Sequence, residues 1–213
     1  QAIEQVRLSS RSISLSRDGR QLMFVSSDQR STIQRFGLDP VTGRVASPPR
    51  PAFQGSRVIY TQDLSPSGEW IAFSTLGVRE DLFVVRADGT GYRQITDDAS
   101  RDRGPKWSPD GKRIGFYSDR SGRYETWTIL PDGSKAEQQT RTTGPSRWDT
   151  EWSPDGKRLV TTDGVQTWIE DLTKPLADRK AEPLPPLEVK RALLPRSWSP
   201  DGATLAGDLE FYV

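Results

Sequence analysis

Histidine and cysteine are both missing from this 213-residue chain. Without histidine there is no Ser–His–Asp triad, no histidine-ligated metal and no imidazole switch near neutral pH. Without cysteine there is no disulfide, thiol nucleophile or cysteine metal site. No G-x-S-x-G nucleophile elbow occurs either. No apolar run approaches 18 residues, so no segment reads as a membrane-spanning helix. An excess of one charge is lacking too. The 30 basic and 29 acidic residues are well mixed and leave a net charge of +1, which argues against a nucleic-acid surface. No long stretch has the 3.6-residue apolar period, so little or no helix is expected. The chain does not begin with Met and has no recognisable signal peptide, so it reads as a mature or excised piece.

What is present is a repeated word. WSPDGKR occurs at 107–113 and again at 152–158, with relaxed copies SRDGR at 16–20, SPSGE at 65–69 and WSPDGA at 198–203. The serines anchoring these words are Ser16, Ser65, Ser108, Ser153 and Ser199, separated by 49, 43, 45 and 46 residues. A period in this range marks a repeat architecture. Each word is a turn, in which Pro presets φ, Asp accepts local backbone hydrogen bonds and Gly takes the left-handed conformation. Three residues past the glycine stand Leu22, Ile71, Ile114, Leu159 and Leu205, and five past it Phe24, Phe73, Phe116, Thr161 and Gly207. That alternation predicts a strand with one buried face.

The third copy reads as four strands, at 103–108, 112–118, 123–130 and 135–140, joined by PDG, DRSG and PDGS. Four short antiparallel strands every 40–45 residues describe a β-propeller blade. Trp107, Trp152 and Trp198 recur before the serines, and together with Ile114, Phe116 and Trp127 they read as packing between blades. Asp110, Asp155 and Asp201 form a row of carboxylates that turn chemistry explains. Two proline-rich stretches, 39–57 and 172–191, read as long surface connections between outer strands, with a docking loop as the sharper alternative.

WSPDGKRIGFYSDRSGRYETWTILPDGS (107–134) resembles the repeat of TolB-like β-propellers: an S-P-D-G turn, an apolar strand, an S-D-R-x-G loop, an aromatic strand and a D-G turn. The resemblance runs from about Ser12 to Gly207. It implies an all-β propeller of four-stranded antiparallel blades, with four full repeats and a partial fifth, as part of a six-bladed ring. The whole of 1–213 is expected to be one propeller domain, anchored near 16, 65, 108, 153 and 199 and incomplete at its C-terminus. In the alternative, residues 2–8 close a smaller ring as the outer strand of blade five, and the closed ring is a monomer. Relatives of this type serve as periplasmic adaptors, as sensor domains and as gates on serine peptidases. The resemblance therefore implies a periplasmic or extracellular setting.

In such a blade the loops between the second and third strands emerge beside the connections between blades, opposite the S-P-D-G turns. Binding surfaces favour loops on a rigid scaffold, and Arg and Trp are enriched at hot spots. The candidate partner-binding residues on that face are Arg101, Asp102, Arg103, Arg120, Arg147, Trp148 and Asp149. The expected function is a non-catalytic module binding a protein or peptide, with no cofactor and no metal. The alternative is the gating propeller of a serine peptidase whose catalytic domain lies outside this chain. A propeller lyase needing histidine-ligated metal is excluded, while a carboxylate-pair glycosidase is allowed by composition alone.

Overall fold

The computed structural model describes residues 13–28, 30–77, 79–185 and 193–209, and within them the chain folds as five antiparallel sheets in sequence order. Blade one comprises β1 (Ile13–Leu15), β2 (Gln21–Asp28), β3 (Arg30–Gly37) and β4 (Arg50–Gly55). Blade two comprises β5 (Val58–Leu64), β6 (Trp70–Leu76), β7 (Leu82–Arg86) and β8 (Arg93–Gln94). Blade three comprises β9 (Asp102–Trp107), β10 (Ile114–Ser118), β11 (Glu125–Ile129) and β12 (Glu137–Gln138). Blade four comprises β13 (Trp148–Trp152), β14 (Arg158–Thr162), β15 (Thr167–Asp171) and β16 (Glu182–Pro183). The fifth sheet holds β17 (Leu193–Trp198) and β18 (Leu205–Leu209). The first strands β1, β5, β9, β13 and β17 lie side by side as the inner edge of an arc. The ring is not closed among the described residues. The expected closing strand at 2–8 and the chain end at 210–213 lie outside the described residues.

One hydrogen-bond set builds every hairpin between first and second strands. The Ser65, Ser108, Ser153 and Ser199 hydroxyls accept the backbone N–H five residues on, at 3.0, 2.9, 2.9 and 2.8 Å. Ser108 and Ser199 donate to the aspartate two residues on, at 2.7 and 2.6 Å. That aspartate accepts the N–H of Lys112 or Ala203 at 3.1 or 3.0 Å. The turn glycines share one left-handed conformation, with φ between 69° and 72°, which a side chain disfavours. The hydroxyl's donation, followed by the Lys157 N–H, holds the Asp155 carboxyl below the usual range. Turn chemistry accounts for these carboxylates.

Burial departs from the single buried face expected of each strand. In β6, Ile71 and Phe73 join Met23, Ile33 and Ala52 of blade one in a core that also takes Phe83 and Val85 of β7. The intervening Ala72, with Leu82 and Val84, joins Trp107, Ile114, Phe116 and Ile129 of blade three. A blade sandwiched between two others has no solvent face, so both residue sets are apolar. Trp107 and Trp152 are buried, and the Trp152 indole N–H reaches the Lys106 carbonyl of blade three at 3.2 Å.

The described parts of the proline-rich stretches belong largely to blades one and four, and residues 186–191 lie outside the described residues. Residues 39–57 follow β3, and their second half is β4 itself, paired with β3. The Asp39 carboxylate accepts the Val41 and Thr42 N–H groups at 2.9 Å, which closes the turn before it. Part of 172–191 forms a 3₁₀ turn at Leu176–Asp178 and the outer strand β16. Prolines fit there because an outer strand needs donors on only one side.

Candidate functional site

Strand pairing sets Asp102 opposite Ser118 and Ser118 opposite Glu125. The starts of first strands, the ends of second strands and the loops joining second to third strands therefore share one rim. All seven predicted residues come from this end of blades three and four. Each inner strand from blade two to blade five carries a β-bulge there. The additional residue is Tyr60 in β5, Asp149 in β13 and Arg196 in β17, and in β9 Gly104 and Pro105 stand opposite Phe116. Bulges re-aim side chains at rims and bend the strand. Gly104 adopts φ 62° and Asp149 φ 48° at equivalent positions.

The rim arginines are held by carboxylates and rings. Arg120 donates to Asp102 Oδ2 at 2.7 Å and lies 3.4 Å from Asp98, with its guanidinium 5.3 Å from the Phe116 ring centre and 5.2 Å from that of Trp127. Arg103 reaches back to blade two and donates through two nitrogens to Glu80, the Nη2–Oε1 contact being 2.8 Å. Tyr60 and Tyr124 flank it at 5.9 and 5.6 Å. Arg147 donates to Glu170 at 2.7 Å and stacks 4.0 Å from the Trp168 ring centre. Asp149 meets Arg196 of the fifth sheet at 3.6 Å.

Burial divides the seven residues. The Asp102 side chain is fully buried, and those of Arg147, Arg120 and Arg103 keep 11, 16 and 23 % of their surface. Burial pushes the Asp102 carboxyl up, with Ser118 and Arg120 opposing it. Burial likewise holds the Arg147 guanidinium below its ordinary value against the pull of Glu170. Arg101 is exposed, and its backbone N–H donates to Asp119 at 2.8 Å. Trp148 and Asp149 are half-buried. Arg101, Trp148 and Asp149 are thus the more accessible of the seven, while Asp102, Arg103, Arg120 and Arg147 are tied into the rim by ion pairs.

Sequence reasoning overlooked a charged row at the inner edge. Two residues before the anchoring serines, successive blades carry Asp63, Lys106 and Glu151. Lys106 Nζ lies 2.9 Å from Glu151 Oε2, and Asp63 accepts the Trp107 N–H at 2.7 Å. Burial pushes the Glu151 carboxyl up to about 7 despite the lysine. The shared offset from the serine was the available signal. In blade two, Asp81 is also buried, and its carboxylate accepts no hydrogen bond among the described residues, with Arg79 at 3.8 Å. No group of three or more potential metal-ligating side chains occurs among the described residues.

Five successive sheets with aligned inner strands and local S-P-D-G hairpins define a β-propeller. The chain belongs to the TolB beta propeller domain family, whose model matches residues 12–205. It is 34% identical over 110 residues to dipeptidyl-peptidase 5 of Porphyromonas endodontalis, a match covering 48% of this chain and 16% of that protein. It is 37% identical over 59 residues to the Tol-Pal system protein TolB of Zymomonas mobilis, covering 27% of this chain and 13% of that protein. The structure of TolB from Acinetobacter baumannii superposes with a TM-score of 0.68 at 19% identity, covering 90% of this chain and 46% of that one. The chain thus spans well under half the length of the curated relatives it matches.

Proposed function

We propose that this propeller is a non-catalytic interaction module that takes a protein or peptide partner on the rim formed by the loops of blades three and four. One observation carries the reading. Three guanidiniums from two blades are each fixed by a carboxylate and an aromatic ring, around the more accessible Arg101, Trp148 and Asp149. Side chains held in place before binding lose little conformational freedom on contact, and Trp and Arg are the residues that most often dominate interfaces. Family membership and the similarity to TolB proteins support an adaptor role in a periplasmic or extracellular setting.

A photo-crosslinking residue at position 101, introduced in the native cell, tests this. A discrete crosslinked species is expected from position 101, weakened at least tenfold by Trp148→Ala, with none from position 157 in the turn at the opposite end. Equal crosslinking from both ends refutes the rim assignment. The similarity to dipeptidyl-peptidase 5 favours a second reading, in which this propeller gates substrate to a hydrolase domain elsewhere in a longer polypeptide. Peptidase activity of the polypeptide purified from its native cell, altered by rim variants, distinguishes that reading.

A further inference from the structure

Blade one differs from the other three four-stranded blades at its periphery. Its outer strand β4 has six residues, whereas β8, β12 and β16 have two each. No described strand pairs with its outward edge. Pro51 and a bulge at Ala52 interrupt the start of β4, and the edge runs regularly from Phe53 to Gly55. An open edge is a template for a further strand. The segment Arg50–Arg57 reads RPAFQGSR, with an arginine at each end and no carboxylate. Arg50 and Arg57 are both exposed, and Arg57 makes no ion pair among the described residues. Asp88, next to Gly89 in the adjoining turn of blade two, is engaged by the Thr90 N–H and hydroxyl at 2.9 and 2.7 Å.

Beside this edge lies a cleft of about 610 Å³ between blades one and two, lined by Pro51, Phe53, Gln54, Arg57, Gly89 and Tyr92 among others. Its wall is a stack of rings. Tyr92, 48% exposed, lies parallel to Phe83 at 5.7 Å and within 23° of Phe53 at 5.2 Å. The Arg57 guanidinium sits 5.3 Å from the Phe83 ring centre. The turn of blade two abuts the strand at Gly89, where an added Cβ would come 3.3 Å from the Ala52 carbonyl.

We infer that this edge and cleft form a second docking site, distinct from the rim, for an extended acidic peptide segment. The segment adds to the edge of β4 at residues 53–55 as a fifth strand through backbone hydrogen bonds. One of its apolar side chains, aromatic by preference, enters the cleft against Tyr92 and Phe53, and its flanking carboxylates face Arg57 and Arg50. Strand addition supplies affinity through the main chain and selectivity through alternate side chains. The open edge favours a peptide over an acidic saccharide, which would use the rings and the arginine but leave the edge unpaired.

Panning a phage-displayed library of random heptapeptides against the folded chain tests the inference. Enriched peptides are expected to carry an aromatic residue flanked by Asp or Glu. A synthetic, labelled version should bind at least tenfold more weakly to R57E and to Tyr92→Ser and be unaffected by R101E. N-methylation of its alternate amides should abolish binding. Arg57 is exposed, so its variants should keep the wild-type Tm; R57Q replaces R57E if the charge reversal perturbs folding. The inference is overturned if no sequence enriches, if binding survives R57E and R57Q, if R101E removes it instead, or if oligoglucuronate competes while N-methylation has no effect.

Discussion

The hydroxyl of Ser153 should contribute far more to stability than that of Ser199, although the two occupy equivalent turns. Ser153 is fully buried, accepts the Arg158 N–H at 2.9 Å and donates to Asp155. Ser153→Ala leaves the first N–H of β14 without an acceptor where water has poor access, and it leaves Asp155 held only by the Lys157 N–H. Orphaning a buried donor costs about 1–3 kcal/mol, so a loss of about 2 kcal/mol is expected. Ser199 makes the equivalent bonds at 2.8 and 2.6 Å in a half-exposed turn. Water can replace its hydroxyl there, and the expected loss is about 0.5–1 kcal/mol. Urea unfolding monitored by tryptophan fluorescence measures both. The midpoint shift should be at least twice as large for Ser153→Ala at an unchanged slope. Equal shifts would show that burial does not govern the value of this hydrogen bond, and the argument from the turn would fail.

Gly104→Ala should destabilise the chain by about 2–3 kcal/mol in the same assay. Its φ of 62° is left-handed, and the new Cβ would lie 2.6 Å from the Tyr117 ring. Arg147→Met should cost about 3 kcal/mol by leaving the buried Glu170 carboxylate without its cation, and the double variant with Glu170→Leu should recover at least half of that. Burial raises the Glu151 carboxyl from 4.5 to about 7, so between those values the folded chain holds more protons than the unfolded chain. The contribution of this group to stability is therefore greatest below about pH 4.5 and declines as pH rises to about 7. Relative to the wild type, Glu151→Gln should lose the decline, measured as the difference in unfolding free energy across that window.

Local physics was legible in the sequence, and pairings across blades were not. The strands of the third repeat were expected at 103–108 and 112–118, and the second and first strands observed are 114–118 and 102–107, because Pro, Asp and Gly act within their own turn. The two-sided burial of β6 was missed because alternation of large and small residues, Ile71 and Phe73 with Ala72 between them, looks like one buried face until a neighbour covers the other. At the rim the sequence marked arginines and aspartates as abundant, but their partners are 23 residues away for Arg103 with Glu80 and for Arg147 with Glu170. Only the stacking of blades brings Glu80 to Arg103. The Lys106 and Glu151 pair is farther apart still in sequence, one repeat, although aligning the copies on their serines would have placed both at one level.

The inner-strand bulges have a consequence for how such a scaffold acquires new chemistry. At a bulge, one residue faces no partner across the ladder, so its side chain is excused from the packing that constrains its neighbours. Tyr60, Gly104, Asp149 and Arg196 occupy this place in four successive blades. An aromatic, a hydrogen, an acid and a base thus stand on one framework without disturbing the apolar layers behind them. Where the bulged residue carries a side chain, as at Tyr60, Asp149 and Arg196, the position works as a socket that sets what the rim presents, whereas Gly104, wedged against the Tyr117 ring, is held to a hydrogen by packing.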